Sequence, residues 1–333
     1  MDQNKRIIYL DYIRVLAIFL VIGMHSPIPV ENANGMVYAF ITVLCTPCNA
    51  LFFMVSGALI LPMKEDSWMP FLKHRLAKVV IPMLFWSAVT LIIQYWDGTK
   101  TATDIISDFG LLLFYPHANP NYWFIYVLLG LYLLTPILSP WIKKSNQSDI
   151  RYYLCLWFLA LVTMLLAYAN VKMPKIENAP LYYFGGWVGY FVLGYYLRSF
   201  NFRINYIICI ICIVLPFVVY VWLKYASWDY QKVMGYLSLL TALSATSYFV
   251  LLKRISLRCG LIEKMSNLSF GVYLIHILIR DNIVCRIPAI YSHGSLVMVL
   301  SIWALTLFLS FSIIYVITKF PYSKYLIGYS SNK

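Results

Sequence analysis

The chain has 333 residues, 62% hydrophobic and only 12% charged, with a mean hydropathy of +0.74 and a formal charge of +13. Soluble globular chains carry about 25% charged residues. Composition therefore excludes a soluble protein, and apolar runs of about 20 residues without a strict polar alternation exclude an outer-membrane barrel. The positive charge does not signal nucleic acid, because most basic residues gather at one set of span ends, as topology requires.

The fold class expected is all-α, a polytopic membrane protein of about ten transmembrane helices. They are placed near 7–26, 36–61, 76–96, 121–141, 151–171, 181–199, 204–223, 233–252, 268–288 and 295–318. The first apolar run follows Lys5-Arg6 and imitates a secretory signal. It holds Asp11 and Arg14, however, and no small-residue cleavage site follows, so it reads as a retained span. Asp104–Tyr115 is too short to span and suits an interfacial helix. No internal repeat or low-complexity linker interrupts the chain. One membrane domain covers 7–318, with short cytoplasmic tails at 1–6 and 319–333. Eighteen of the 26 Lys and Arg residues fall on the N-terminal side of the membrane and seven on the other, while Arg14 lies within it. That bias puts both termini in the cytoplasm, Arg14 in the inner half and His25 near the outer face.

Ionisable side chains at bilayer depth mark functional candidates. Arg14 and His25 are eleven positions apart, close to three helical turns. They share a face and stand about 16 Å apart along the axis. His25 suits general-base work near neutral pH, or it caps the span before Ser26-Pro27. Arg14 suits a ligand contact and also a pairing with Asp11, three residues away, and the two roles are compatible. The nearest carboxylate after His25 is Glu31.

Lys73, Arg75 and Lys78 sit at the cytoplasmic end of the third span, where they suit phosphates or anchor the helix. Pro82 is expected to loosen the helix and free backbone groups toward a cavity. Ser56-Gly57 permits close approach of a ligand or a helix. Tyr122-Trp123-Phe124-Ile125-Tyr126 reads as an aromatic belt or an acceptor platform. Tyr273 and His276 share a helix face and are expected to hydrogen-bond within the bundle. The pairs Cys45/Cys48 and Cys209/Cys212 have redox spacing but lie in apolar runs without a second ligand pair, so they read as small hydrophobes and no metal is expected.

Taken together, these segments resemble the integral-membrane acyltransferase-3 family. Leu10, Asp11, Arg14 and His25 are similar to its first-span signature. Phe52-Phe53-Met54-Val55-Ser56-Gly57 is similar to its phenylalanine-rich Ser-Gly segment. Arg75 and Lys78 ahead of Pro82 resemble its basic pair before a proline, with a lysine where an arginine is commoner. Trp123-Phe124 with Tyr132 and Pro136, then Phe191–Tyr196, then Tyr273–His276, follow in the family's order. Asn121 stands where a histidine often precedes the Tyr-Trp-Phe segment.

The resemblance implies transfer of an acyl group, usually acetyl from acetyl-CoA, to a hydroxyl of a cell-envelope glycan or its lipid-linked precursor. In that reading acyl-CoA is the donor co-substrate and no cofactor is permanently bound. Lys73, Arg75 and Lys78, with Ser56 and Gly57, receive the donor. Arg14 holds its pantetheine arm or thioester carbonyl, and His25 takes the acceptor's proton. Asp11, Trp123, Tyr126, Tyr273 and His276 are acceptor-side or structural candidates. The partners are acyl-CoA, the glycan and the lipid bilayer of a bacterial cytoplasmic membrane, with no nucleic acid. A different class, a transporter or flippase of a polysaccharide intermediate, also accommodates ten spans with intramembrane charges. It would favour inverted repeats with broken helices, which the sequence lacks.

Overall fold

The structure is a computed structural model. It describes residues 6–30, 35–64, 67–116, 118–168, 180–201, 204–225 and 235–329, and within them the side chains outside 164–168 and 224–225. Glu31, Arg203, Lys232 and the expected tail and span ends at 1–5, 169–171, 233–234 and 330–333 lie outside the described residues.

The described residues are mostly helical, with no strand among them. In chain order the helices are α1 Ile8–His25, α2 Gly35–Cys45, α3 Cys48–Ile60, α4 Trp68–Trp96, α5 Ala102–Leu111, α6 Trp123–Lys144, α7 Gln147–Tyr168, α8 Trp187–Ser199, α9 Tyr206–Tyr225, α10 Leu239–Leu252, α11 Gly260–Asn282, α12 Ser295–Ile317 and α13 Ser323–Ile327. Among the described residues seven helical segments are long and apolar enough to cross a membrane: Ile8–His25, Gly35–Ile60, Trp68–Trp96, Pro120–Lys144, Tyr206–Leu223, Gly260–Arg286 and Ser295–Ile317. The chain is a polytopic all-α membrane protein.

Each expected span contains a helix, but several boundaries move for physical reasons. The second span is two helices, because Pro47 has no N–H to continue the ladder beyond Cys45 and instead caps α3. α8 begins at Trp187, not 181, after a glycine at φ +99°, Gly186. Its 13 residues extend about 20 Å, and the 14 of α10 about 21 Å, both short of a hydrocarbon core of about 30 Å. α11 starts eight residues before the expected 268, since Glu263 is absorbed by an ion pair with Arg258 at 2.6 Å. α5 matches the expected interfacial helix. Thr101 and Asp104 form a reciprocal capping box at its start, and none of its residues is buried.

Two prolines show how freed backbone groups are handled. A helical proline leaves the carbonyl four residues earlier without its amide partner. In α9 Pro216 frees the carbonyl of Cys212, and the Ser244 hydroxyl of α10 donates to it at 3.0 Å. In α4 Pro82 frees the carbonyl of Lys78, yet α4 stays helical from Trp68 to Trp96. The backbone of Gly328, at φ +67°, covers that carbonyl, and a Cβ on Gly328 would stand 2.9 Å from it.

The chain divides into two compact units. The first comprises residues 1–27, 33–64 and 137–266, and the second 28–32, 65–136 and 267–333. In the first, α3 packs on α1, α8 and α10, and α9 on α10. Its core holds Ile13, Ile18, Phe53, Trp157, Tyr190, Phe191 and Phe249, all fully buried. In the second, α4 carries the buried Phe71 and Met83 and contacts α5 and α13. The C-terminal segment is no free tail. Trp86 donates its indole N–H to the Leu326 carbonyl at 2.8 Å, and Ser323 and Ile327 are buried.

Candidate active site

In the first unit, α1 is a single unbroken helix of 18 residues, so Arg14 and His25 keep the eleven-residue step on one face. Both are half-buried, whereas Ile13, Val15, Ala17, Ile18 and Ile22 are buried. His25 ends the helix and Ser26 closes it, donating its hydroxyl to the Ile22 carbonyl at 2.7 Å.

Asp11 has partners that its sequence neighbours did not suggest. Arg6 grips its carboxylate through Nε at 2.6 Å and a terminal nitrogen at 2.9 Å, and the Ser266 hydroxyl donates to it at 2.6 Å. Arg6 also donates to the Glu263 carbonyl at 3.0 Å. Asp11 thus ties the start of α1 to α11 through Arg6 and Ser266.

Gly57 is an inter-helix contact. A Cβ there would lie 1.8 Å from the carbonyl oxygen of Phe191, and a Cβ at Gly194 would lie 1.8 Å from that of Met54. The Ser-Gly segment of α3 and the Phe191–Gly194 segment of α8 are thus two sides of one crossing, with each glycine admitting the other helix's backbone. The space expected for a donor at Gly57 is filled by protein. Ser56, half-buried beside it, remains a candidate.

Several basic residues counted for topology also have local work in this unit. Arg198 donates to the Ala58 carbonyl in the last turn of α3, and Lys253 to the carbonyls of Leu197 and Phe200 at the end of α8. Cations at helix C-termini satisfy orphan carbonyls and complement the dipole. Only their charge is legible locally; the helix each would cap is distant in the chain.

In the second unit, Lys73, Arg75 and Lys78 follow one another in the first half of α4. Both lysines are exposed and Arg75 is half-buried, its guanidinium 5.9 Å from the Phe71 ring centroid. The Arg75 Nε is buried and has no hydrogen-bond partner among the described residues. A buried donor left unmade costs about 1–3 kcal/mol, more when charged, so this group is primed for an acceptor such as a phosphate oxygen.

The aromatic segments form a second constellation in the same unit. Tyr122 donates its hydroxyl to the Leu274 carbonyl at 2.6 Å, and Tyr273 donates to the Asn121 carbonyl at 2.5 Å. Phe124 packs on Tyr273 with centroids 5.3 Å apart. His276 is buried, and its Nδ1 lies 2.6 Å from the Tyr273 carbonyl. A carbonyl only accepts, so Nδ1 carries the proton. The expected hydrogen bond exists, but it runs from imidazole to backbone rather than between the two side chains. Tyr126 donates to the carbonyls of Leu112 and Tyr115, which fixes the segment after α5.

Comparison with known families decides the assignment. The family model described as an acyltransferase domain, acyltransferase-3, matches residues 7–320. The chain belongs to the acyltransferase-3 family. It is a multi-pass membrane acyltransferase. No curated protein and no solved structure matches it.

In this acyltransferase Asp11 anchors the start of α1 to α11, and Arg14 and His25 keep their eleven-residue step on the same helix. The residues missed from sequence are Arg6 and Ser266 around Asp11. Ser266 stands 255 positions away, and no local pattern marks it.

Proposed function

We propose that this acyltransferase is an O-acyltransferase, and specifically an O-acetyltransferase. It takes the acyl group from cytoplasmic acyl-CoA and places it on a hydroxyl of a cell-envelope glycan or lipid-linked precursor, in a bacterial cytoplasmic membrane. The observation that carries the reading is α1: one unbroken helix with a fixed cation and an imidazole about 16 Å apart on the same face. That distance suits a long thin donor such as the pantetheine arm.

Each residue then has a chemical task. Arg75, with its buried unpartnered Nε, and the exposed Lys73 and Lys78 take the phosphates of the donor. Arg14 holds the arm or the thioester carbonyl. His25 removes the proton from the acceptor hydroxyl as its oxygen attacks the thioester carbonyl carbon. The carbon–sulfur bond breaks, the ester forms, and the CoA thiolate leaves and is protonated from the imidazolium or solvent. No resident cofactor is required by this sequence of steps.

The test is acyl transfer by purified protein in nanodiscs. Labelled acetyl-CoA is supplied and free CoA is followed with and without an envelope glycan extract, for wild type and His25→Ala. Glycan-dependent CoA release that disappears in the variant supports the reading. Absence of both donor binding and turnover would replace it with transport of a glycan intermediate.

A further inference from the structure

The second unit contains a polar cleft that the donor chemistry does not use. It has a volume of about 390 Å³ and lies where the C-terminal ends of α4 and α11 meet the Asn119–Asn121 turn before α6. The orientation set by Lys and Arg directs these helix ends away from the cytoplasm. The volume is that of a small-molecule site.

Its walls are rich in amides, from Gln94, Asn119, Asn121 and Asn282. The Gln94 Nε2 donates to the Ala118 carbonyl at 3.3 Å, while its Oε1 is buried and has no hydrogen-bond partner among the described residues. That oxygen can only accept, so what it lacks is an N–H or O–H donor. Asn119 is buried and accepts from Asn121 through both the backbone N–H at 3.0 Å and the side-chain amide at 3.1 Å.

The charges on the walls are already matched. Arg280 is bound to Asp281 at 2.6 and 3.1 Å, and Lys100 to Asp108. Asp97 accepts from the Thr99 backbone N–H at 3.0 Å and hydroxyl at 2.7 Å, which hold its carboxyl below the usual carboxylate range. Among lining residues, Lys100 and Arg280 offset Asp97 and Asp281, leaving no net charge. Such a wall gives an anion no electrostatic advantage. It suits a neutral ligand with many hydroxyls, which donate and accept as amides do.

Pro120 also lines a second groove of about 390 Å³, walled by Phe114, Tyr115, Trp123 and Tyr126. The flat apolar face of a sugar ring packs on aromatic rings of this kind. An amide cleft and an aromatic groove that share one wall match the two faces of a saccharide.

We infer that this cleft binds an uncharged sugar unit of the acceptor glycan, with the Gln94 Oε1 accepting one of its hydroxyls. The role as acceptor rests on the acyl-transfer reading above; the binding chemistry does not.

The experiment measures saccharide binding without any donor. Full-length protein in nanodiscs is titrated with neutral hexose and N-acetylhexosamine oligosaccharides, and with galacturonic-acid oligomers of equal length, by saturation-transfer NMR. At least one neutral oligomer binds, and about tenfold tighter than any uronate. Gln94→Leu, close in size but without the acceptor, weakens that binding about tenfold, the loss of one hydrogen bond. Thr99→Trp, from the exposed rim, blocks it by filling the cleft. Thermal unfolding shows that both variants are folded. Tighter binding of uronates, no binding of any oligomer, or wild-type binding in both folded variants overturns the inference. Acetyl-CoA affinity of the wild type, measured separately, keeps the two readings apart. Sugar binding without donor binding would sink the transferase and leave the cleft standing.

Discussion

Tyr122 and Tyr273 hold each other's backbone. The hydroxyl of Tyr122 reaches the carbonyl of Leu274, next to Tyr273, and the hydroxyl of Tyr273 reaches the carbonyl of Asn121, next to Tyr122. The pair binds the start of α6 to the middle of α11 inside the second unit, and ring contact through Phe124 closes the cluster. Each bond is worth about 0.5–1.5 kcal/mol net. Tyr122→Phe and Tyr273→Phe should each lower the midpoint of unfolding in detergent, and the double variant should show coupling between them. Turnover per folded molecule should hold. A large loss of turnover in Tyr273→Phe without destabilisation would make its hydroxyl part of the chemistry.

The crossing of α3 and α8 has no tolerance for a methyl group. At Gly57 and Gly194 a Cβ would sit 1.8 Å from a carbonyl oxygen of the other helix. Overpacking against side chains typically costs about 1–3 kcal/mol, and here the obstacle is backbone that no rotamer change relieves. Gly57→Ala and Gly194→Ala should each strongly reduce the yield of folded protein. Ser56→Ala, one residue away and half-buried, should fold normally. Size-exclusion profiles in detergent compare the three.

Much of this architecture is written locally. Apolar runs between charged or proline-bearing segments mark most helices, and Thr101-x-x-Asp104 marks the start of α5. What escapes sequence reading is pairing at long range. Pro216 announces a freed carbonyl at Cys212, but nothing near it names Ser244 as the donor that satisfies it. Gly57 announces a close approach, and either a ligand or a helix would satisfy that pattern; Phe191 settles it. Asp11 invites the nearest cation three residues on, but nothing near it names Ser266, 255 positions away, as the hydroxyl that donates to it. The candidate site was legible where one helix fixes the spacing, as for Arg14 and His25. It was illegible where the partner arrives from another helix.

If Arg14 serves the donor as proposed and Asp11 serves the fold, the two should separate under mutation, although they sit in one signature. Asp11→Asn weakens the grip of Arg6 and removes the carboxylate that Ser266 serves. It should cost about 1–3 kcal/mol of stability while the KM for acyl-CoA stays near wild type. Arg14→Ala should raise that KM about tenfold or more, with little effect on unfolding. Equal effects on KM would return both residues to one structural role.

The capping box of α5 predicts a pH response. Hydrogen bonds from the Thr101 hydroxyl and backbone N–H hold the Asp104 carboxyl below its ordinary value, aided by Lys100. A carboxyl with a depressed folded pKa contributes stability above its unfolded pKa, near 4, and that contribution is lost as pH falls through the lower folded value. Deuterium exchange in the first turn of α5, corrected for intrinsic rates, should therefore accelerate as pH drops below about 4. In Asp104→Asn that acceleration should vanish, because the amide does not titrate in this range.

The sharpest prediction concerns His25. Its place in the last turn of α1, half-buried, means that the fold depends little on the imidazole itself, and substitutions outside packed cores usually change stability by about 0.5 kcal/mol or less. Loss of a general base, in contrast, lowers the rate about 100- to 10,000-fold. His25→Ala and His25→Gln should both unfold like wild type, bind acyl-CoA with unchanged affinity and lose transfer by that factor. Glutamine keeps size and hydrogen bonding but takes no proton at neutral pH, so a rescue by glutamine would identify a positioning residue instead. Added imidazole should raise the residual rate of His25→Ala and leave that of His25→Gln, whose side chain fills the space, nearly unchanged. Restoration in neither variant, together with weakened donor binding in both, would place His25 in donor recognition and require the base to come from elsewhere.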